Sequence, residues 1–269
     1  MSDASKQPTT DGPTAERWIE LEGVVNMRDS GGLPTRDGRT IQPHRLLRSD
    51  NLQDLSETDV RTVVDVLGVT DIVDLRSDTE VSTEGPGPLW QVEALTHHHH
   101  SLFGDGRAVS AEQALAMPEH SARTTRDAQF WSDHYLGYLA TRPDSISAAL
   151  DVVSRSTGAT VIHCAAGKDR TGTVIALALD AAGVPHDAIV EDYALTGERI
   201  ERIIARLLPR DLYGNALRHQ SVDDQRPRPE TMRTILDTLQ KEFGGAEGWL
   251  RAQGWSDADI ERLVARLTS

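Results

Sequence analysis

Apolar and polar positions along the chain alternate between a helical and a strand period. Over residues 55–68, Val60, Val63, Val64 and Leu67 recur at helical spacing, Ser56 with Asp59 reads as an N-terminal cap, and Gly68 is a stop signal. Residues 72–75 form a short apolar run of strand length. Residues 89–95 predict a second strand after the Gly85-Pro86-Gly87-Pro88 break, and the β-branched run 160–163 a third. Helical spacing returns over 130–140, 145–153 and 171–182, the last ended by Gly183. Residues 23–38, with Gly31, Gly32 and Pro34, read as loop and hairpin, and residues 97–128 as a loop with a short helix. Beyond Gly183 the pattern is almost wholly helical, over 198–208, 230–243 and 256–267, with a polar break at 211–229. Strands alternating with helices, then helices alone, predict an α/β fold. Its central sheet is flanked by helices, with a helical C-terminal third. The amphipathic helix carrying Ile200, Ile203, Ile204 and Leu207, followed by a polar stretch, is a candidate lid. A helix packed permanently on the sheet is the alternative.

Composition narrows the class. At 269 residues and 38% hydrophobic, the chain can bury a full core, and its one cysteine rules out an intramolecular disulfide. The expected organisation is a disordered segment over 1–13 and one domain over 14–269. No apolar run has a membrane-spanning length, and no signal-peptide core precedes the first helix. The expected location is the cytoplasm, or outside the cell by a route without a recognisable signal peptide. A net charge of −14 disfavours nucleic acid, and stable membrane insertion is not expected. Of the 28 basic residues only Lys6, Lys168 and Lys241 are lysines, so a lysine at 168 stands out.

That lysine lies in the segment that carries chemistry, His163-Cys164-Ala165-Ala166-Gly167-Lys168-Asp169-Arg170-Thr171-Gly172. A strand delivers Cys164 into a tight loop that opens directly into a helix, a geometry suited to a tetrahedral oxyanion. Ala165, Ala166 and Gly167 leave room for the backbone to close around phosphate, and Lys168 can reach a second phosphate or an inositol ring. Arg170 can clamp two phosphate oxygens in a planar fork and gain most in the trigonal-bipyramidal transition state. Positive surroundings favour the Cys164 thiolate, which attacks phosphorus to form a phosphocysteine that water then hydrolyses. Thr171 is placed to donate its hydroxyl to the departing sulfur, and His163 to orient the loop. Cys-x5-Arg alone carries little information among so many arginines. His before the cysteine, Gly at +3, Thr at +7 and Gly at +8 make it specific.

These residues resemble the signature of a bacterial tyrosine phosphatase family that includes secreted mycobacterial and listerial tyrosine/lipid phosphatases. The resemblance extends to Asn26-Met27-Arg28-Asp29, Leu47-Arg48-Ser49, Asp74-Leu75-Arg76-Ser77 and the tail at Trp249-Leu250. It departs at Met27, more often phenylalanine in the family, and at Ala165, often aromatic there. It implies a tyrosine-phosphatase-like domain with a helical lid, hydrolysing phosphotyrosine, in some members phosphoserine or phosphothreonine, and phosphoinositides. Phosphoproteins or phosphoinositides are then the partners, and inorganic phosphate a product.

A leaving tyrosinate or alkoxide needs a proton. Asp169, inside the loop as in phosphatases of the myotubularin type, is the first candidate, ahead of Asp105 and Asp133. Asp74, beside a buried strand, reads as structural. The four histidines 97–100 invite a metal reading, but adjacent residues do not converge on one centre. No metal or cofactor is expected. Arg48 and Arg76 are either supports of the site or partners in surface ion pairs. Two other functions remain on the sequence alone, a rhodanese-like sulfurtransferase and a non-catalytic phosphate-binding module.

Overall fold

A computed structural model describes residues 17–103 and 127–269. Its strands are β1 Arg28–Asp29, β2 Leu46–Ser49, β3 Val69–Asp74, β4 Thr96–His99 and β5 Ala159–His163. They form one sheet in the order β1-β2-β5-β3-β4, parallel except for β1. The central strand is β5, buried at every residue as an inner parallel strand should be. Its register pairs His163 with both Ser49 and Asp74, so the chain leaves β5 at the C-terminal edge of the sheet, where open α/β sheets bind ligands.

The two faces follow from strand alternation. Leu46, Val73 and Ile162 point to one core, Leu47, Ile72 and Val161 to the other. Over the second face lies α1 Glu57–Arg61, with the expected Ser56–Asp59 capping box, continuing as a π turn Thr62–Val66. The first face is covered by α3 Ala128–Thr141, α4 Pro143–Arg155 and α5 Asp169–Ala181, preceded in sequence by α2 Asp78–Glu84. All residues of α5 are buried, because α3, α4, α11 Ala246–Ala252 and α12 Asp257–Leu267 pack around it, with α10 Pro229–Phe243 laid against α3. Between α5 and α10 come α6 His186–Ala194, α7 Thr196–Leu207, α8 Asp211–Leu217 and α9 Val222–Gln225. No helix among the described residues is long and apolar enough to cross a membrane.

Three expectations need correction. Residues 89–95 are not a strand, since Pro88 opens a 3-10 turn Pro88–Gln91 and the strand begins only at Thr96. The first histidines of 97–128 are therefore strand rather than loop. Backbone pairing to β3 holds them, and the rings of His97, His98 and His99 bond Leu89 O, Asp71 and Arg76 O at 3.2, 2.8 and 2.7 Å. The polar break at 211–229 contains α8 and α9, the latter started by a Ser221–Asp224 capping box. The strand β2 and the helices α2, α6 and α11 escaped the reading of the pattern. The segment 1–13 and Asp105 lie outside the described residues.

Candidate active site

The loop from Cys164 to Lys168 joins the buried β5 to the buried α5, so both of its ends are fixed. Gly167 is required twice over. Its φ is +66°, and a Cβ there would come within 2.5 Å of Ser49 O. Three successive loop carbonyls are held from behind. Asn51 N–H donates to Ala165 O at 3.0 Å, Asn26 Nδ2 to Ala166 O at 2.9 Å, and Arg48 Nη2 to Gly167 O at 2.9 Å. In a trans peptide the N–H points opposite to the preceding C=O, so the N–H groups of Ala166, Gly167 and Lys168 face the other way, into the loop. The first turn of α5 adds its positive dipole end on the same side.

Cys164 is buried, 1% exposed. Arg170, in the first turn of α5, is gripped by Glu80 of α2 through Nη1–Oε2 at 2.5 Å and Nη2–Oε1 at 2.9 Å. Burial opposes the Arg170 charge, but Glu80 outweighs it and the guanidinium stays protonated. Glu80 also accepts Ser77 N–H at 2.7 Å, as the last member of a capping box, and Tyr213 O–H from α8 at 2.9 Å. Its carboxylate thus fixes the plane of the Arg170 fork.

Lys168 Nζ donates to Gln225 O of α9 at 2.8 Å and lies 4.5 Å from the Trp131 ring centre and 3.5 Å from Asp169 Oδ1. Asp169 accepts the Tyr135 O–H, and Tyr135 meets Tyr193 at 2.9 Å. Burial and the Asp169 charge raise Tyr135 well above the usual phenol range, so it remains a donor. Thr171 Oγ1 is buried without a hydrogen-bond partner among the described residues, a polar group left over at the loop. His163 lies 3.4 Å from Cys164 O through Nδ1 and 3.6 Å from Asp74 through Nε2. Burial, only partly offset by Asp74, lowers it to about 4, so it is neutral at pH 7.

Asp133 sits exposed on α3, bonded to Gln129 at 2.6 Å and away from the loop. Asp74 pairs with Arg76 at 2.6 Å, and both Arg48 and Arg76 are buried rather than members of surface pairs. Among the described residues no three His, Cys, Asp or Glu side chains form a metal cluster, the histidine run included.

Above Cys164 the void is only about 10 Å³. Ile200, Ile203, Ile204 and Leu207 of α7, Leu217 of α8 and Gln225 of α9 close it. Pattern reading missed Glu80, Tyr213, Tyr135 and Gln225. Only Glu80 left a local trace, the Ser77-x-x-Glu80 capping signature, and its partner Arg170 is ninety residues away in sequence.

A family model described as the tyrosine phosphatase family matches residues 19–269. The triple specificity protein phosphatase PtpB of Mycobacterium tuberculosis is 29% identical, over 91% of this chain and 96% of its own length. A tyrosine-protein phosphatase of Nostoc commune is 27% identical, over 87% of this chain and 78% of its own length.

Proposed function

The chain belongs to the tyrosine phosphatase family, and from that premise we propose a two-step reaction through a phosphocysteine on Cys164. The Cys164 thiolate attacks phosphorus and the P–O bond to the leaving group breaks. Asp169 supplies the proton that the leaving oxygen takes up. Water then attacks phosphorus and gives its proton to the Asp169 carboxylate left by the first step; the S–P bond breaks, and inorganic phosphate departs while Thr171 donates to the returning thiolate. The loop N–H groups of Ala165, Ala166, Gly167 and Lys168 hold the equatorial oxygens together with Arg170. His163, neutral and buried, orients the loop through Cys164 O.

The observation that carries this reading is the meeting of Cys164 and Arg170 at one inward-facing loop, with Arg170 oriented in advance by Glu80. Substrates are phosphoproteins, phosphotyrosine first, with phosphoserine, phosphothreonine and phosphoinositides as further substrates. Support for a second phosphate comes from Lys168, which would be presented beside the loop once Gln225 withdraws. Since about 10 Å³ above Cys164 holds no phosphoester, α7 to α9 act as a lid that opens for substrate. Residues 14–269 act as one phosphatase domain.

The test is a panel of phosphopeptides and phosphoinositides against the wild type and Cys164→Ser. Turnover should vanish in the variant while inorganic phosphate still binds, because the loop amides and Arg170 remain. Residual turnover above a few per cent of wild type would end the assignment of Cys164.

A further inference from the structure

Behind the loop, on the side away from Cys164, lies a buried cluster that the reaction as described does not use. At its centre is Asp192 of α6, 1% exposed. Its carboxylate pairs with Arg48 Nη1 at 2.7 Å, with Arg28 Nε at 3.4 Å and with Arg17. Two of these arginines lead to the loop. Arg48, held on one nitrogen by Asp192, donates with the other to Gly167 O at 2.9 Å. Arg28 donates Nη1 to Asn26 Oδ1 at 2.7 Å, and its Nη2 is anchored on Asp192 O at 2.8 Å and Thr196 Oγ1 at 3.0 Å. With its oxygen taken by a donor, Asn26 must turn its amide nitrogen to the loop, where Nδ2 meets Ala166 O at 2.9 Å and Gly167 O at 3.2 Å.

We infer that Asp192 is a positioning residue for the phosphatase reaction, setting through Arg48 and through Arg28–Asn26 the outward direction of the Ala166 and Gly167 carbonyls and hence the inward direction of the Gly167 and Lys168 amides. The inference rests on the reading of Cys164 as nucleophile within this loop. A cluster that merely tied β1, β2 and α6 together would not need to end on two adjacent carbonyls of the anion-binding loop. The glycines agree with this purpose. A Cβ at Gly172 would sit 3.1 Å from the Tyr193 ring and 3.6 Å from Arg48 Nη2, so this position stays bare where α6 and Arg48 reach the start of α5. The cluster also places three guanidinium groups against one carboxylate. Burial and the neighbouring Arg48 pull Arg28 down to about 9, and Asp192 only partly restores it. The arginines in turn overcome burial and hold Asp192 well below the usual carboxylate range. The two fully buried members, Arg28 and Arg48, lie behind the loop that must bind an oxyanion.

The test compares kcat/KM on an aryl phosphate, the inhibition constant of orthovanadate and the melting temperature. Asn26→Asp keeps the shape but turns a donor into a carboxylate oxygen facing two carbonyls. Arg48→Lys replaces a fork that spans Asp192 and Gly167 O by a point charge that reaches one of them. Asp192→Asn removes the anchor. Asn26→Asp should lose ~100-fold in kcat/KM, and the other two about 10-fold or more, each with a parallel weakening of orthovanadate inhibition. A matched control, Arg17→Met, removes a partner of Asp192 that does not touch the loop, so it should lower the melting temperature and leave vanadate inhibition intact. If Asp192→Asn does not fold, Asn26→Asp and Arg48→Lys carry the comparison. Vanadate inhibition and kcat/KM within two-fold of wild type in both of these, or equal effects of Arg17→Met and Arg48→Lys, would overturn the inference. That result together with a dead Cys164→Ser leaves the nucleophile standing, whereas turnover by Cys164→Ser removes the reading beneath it.

Discussion

Glu80 and Asp169 use the same chemical group for opposite purposes. Glu80 accepts four hydrogen bonds, from Arg170 twice, Ser77 and Tyr213, and so serves to orient Arg170. Asp169 sits at the first turn of α5, 5% exposed, with the Tyr135 hydroxyl and the Lys168 ammonium beside Oδ1. As the proposed proton donor it serves the leaving oxygen, and that role has a kinetic mark. Asp169→Asn should slow phosphotyrosine hydrolysis by about 10- to 100-fold and 2,4-dinitrophenyl phosphate by less than about 3-fold, since a dinitrophenolate leaves almost unaided. Parallel measurements on Asp105→Asn and Asp133→Asn complete the comparison. Equal slowing of both substrates by Asp169→Asn would make it a holder of Lys168 and Tyr135, and the same asymmetry in Asp105→Asn would move the donor there. Asp133, exposed on α3, should behave as wild type with both.

At the scale of elements, what could be read from the sequence was what local physics controls. The helix behind Ser56–Asp59, the strand into Cys164, the buried α5 and the amphipathic α7 all follow from period and capping. The failures share a cause. The strand β4 is made of histidines because β3 offers a parallel edge, and no short window of sequence contains that information. Likewise Cys164, Arg170 and Thr171 stand within one short segment of sequence, whereas Glu80, Tyr213 and Asp192 are brought to the loop only through folding. The helices α7 to α9 combine both lessons. The apolar underside of α7 on Ala165 was visible as periodicity, but α8, α9 and the fastening of all three were not. Arg206 binds Asp50 and, at 2.8 Å, Asp54; Arg210 binds Glu84 and, at 2.6 Å, Asp54. Both arginines and Asp54 are partly exposed, and pairs of that kind contribute on the order of 1 kcal/mol or less each, while Asp50 and Glu84 keep their carboxylates buried. The double variant Arg206→Ala, Arg210→Ala should therefore raise the open fraction about 5- to 30-fold, equivalent to about 1–2 kcal/mol. Two measurements report it, the alkylation rate of Cys164 by iodoacetamide and kcat/KM on a bulky phosphopeptide, and both should rise. A lower melting temperature with an unchanged alkylation rate would mean that these helices never leave the loop.

The whole molecule carries a net charge of −14, yet buried cations gather around the loop, beside the buried carboxylates Glu80, Asp169 and Asp192. Arg28, Arg48, Lys168 and Arg170 lie inside, while much of the acidic surplus faces solvent. The fold therefore concentrates attraction for a small anion at one buried point. The same burial leaves two histidines neutral in the interior. Burial lowers His163 to about 4 against Asp74, and lowers His134 to about 4 against Asp169. Both lie below the ordinary 6.5, and this fixes the sign of their effect on stability. Above about pH 6.5 the rings are neutral whether the chain is folded or not, and they add no pH dependence. Between about pH 6.5 and 4 the unfolded chain binds two protons that the folded chain refuses, so stability falls as pH falls, by up to about 3 kcal/mol per histidine. Asp74, which His163 and Arg76 hold below the usual carboxylate range despite burial, loses its contribution only at lower pH, as the unfolded carboxylates protonate. Urea unfolding midpoints at pH 7.0, 6.0 and 5.0 should therefore drop progressively. In the double variant His134→Gln, His163→Gln most of that slope should disappear, whatever happens to the midpoint at pH 7.0. A wild-type midpoint unchanged from pH 7.0 to 5.0, or the same slope in the double variant, would mean that these rings are protonated inside the fold, and the neutral, loop-orienting role of His163 would have to be given up.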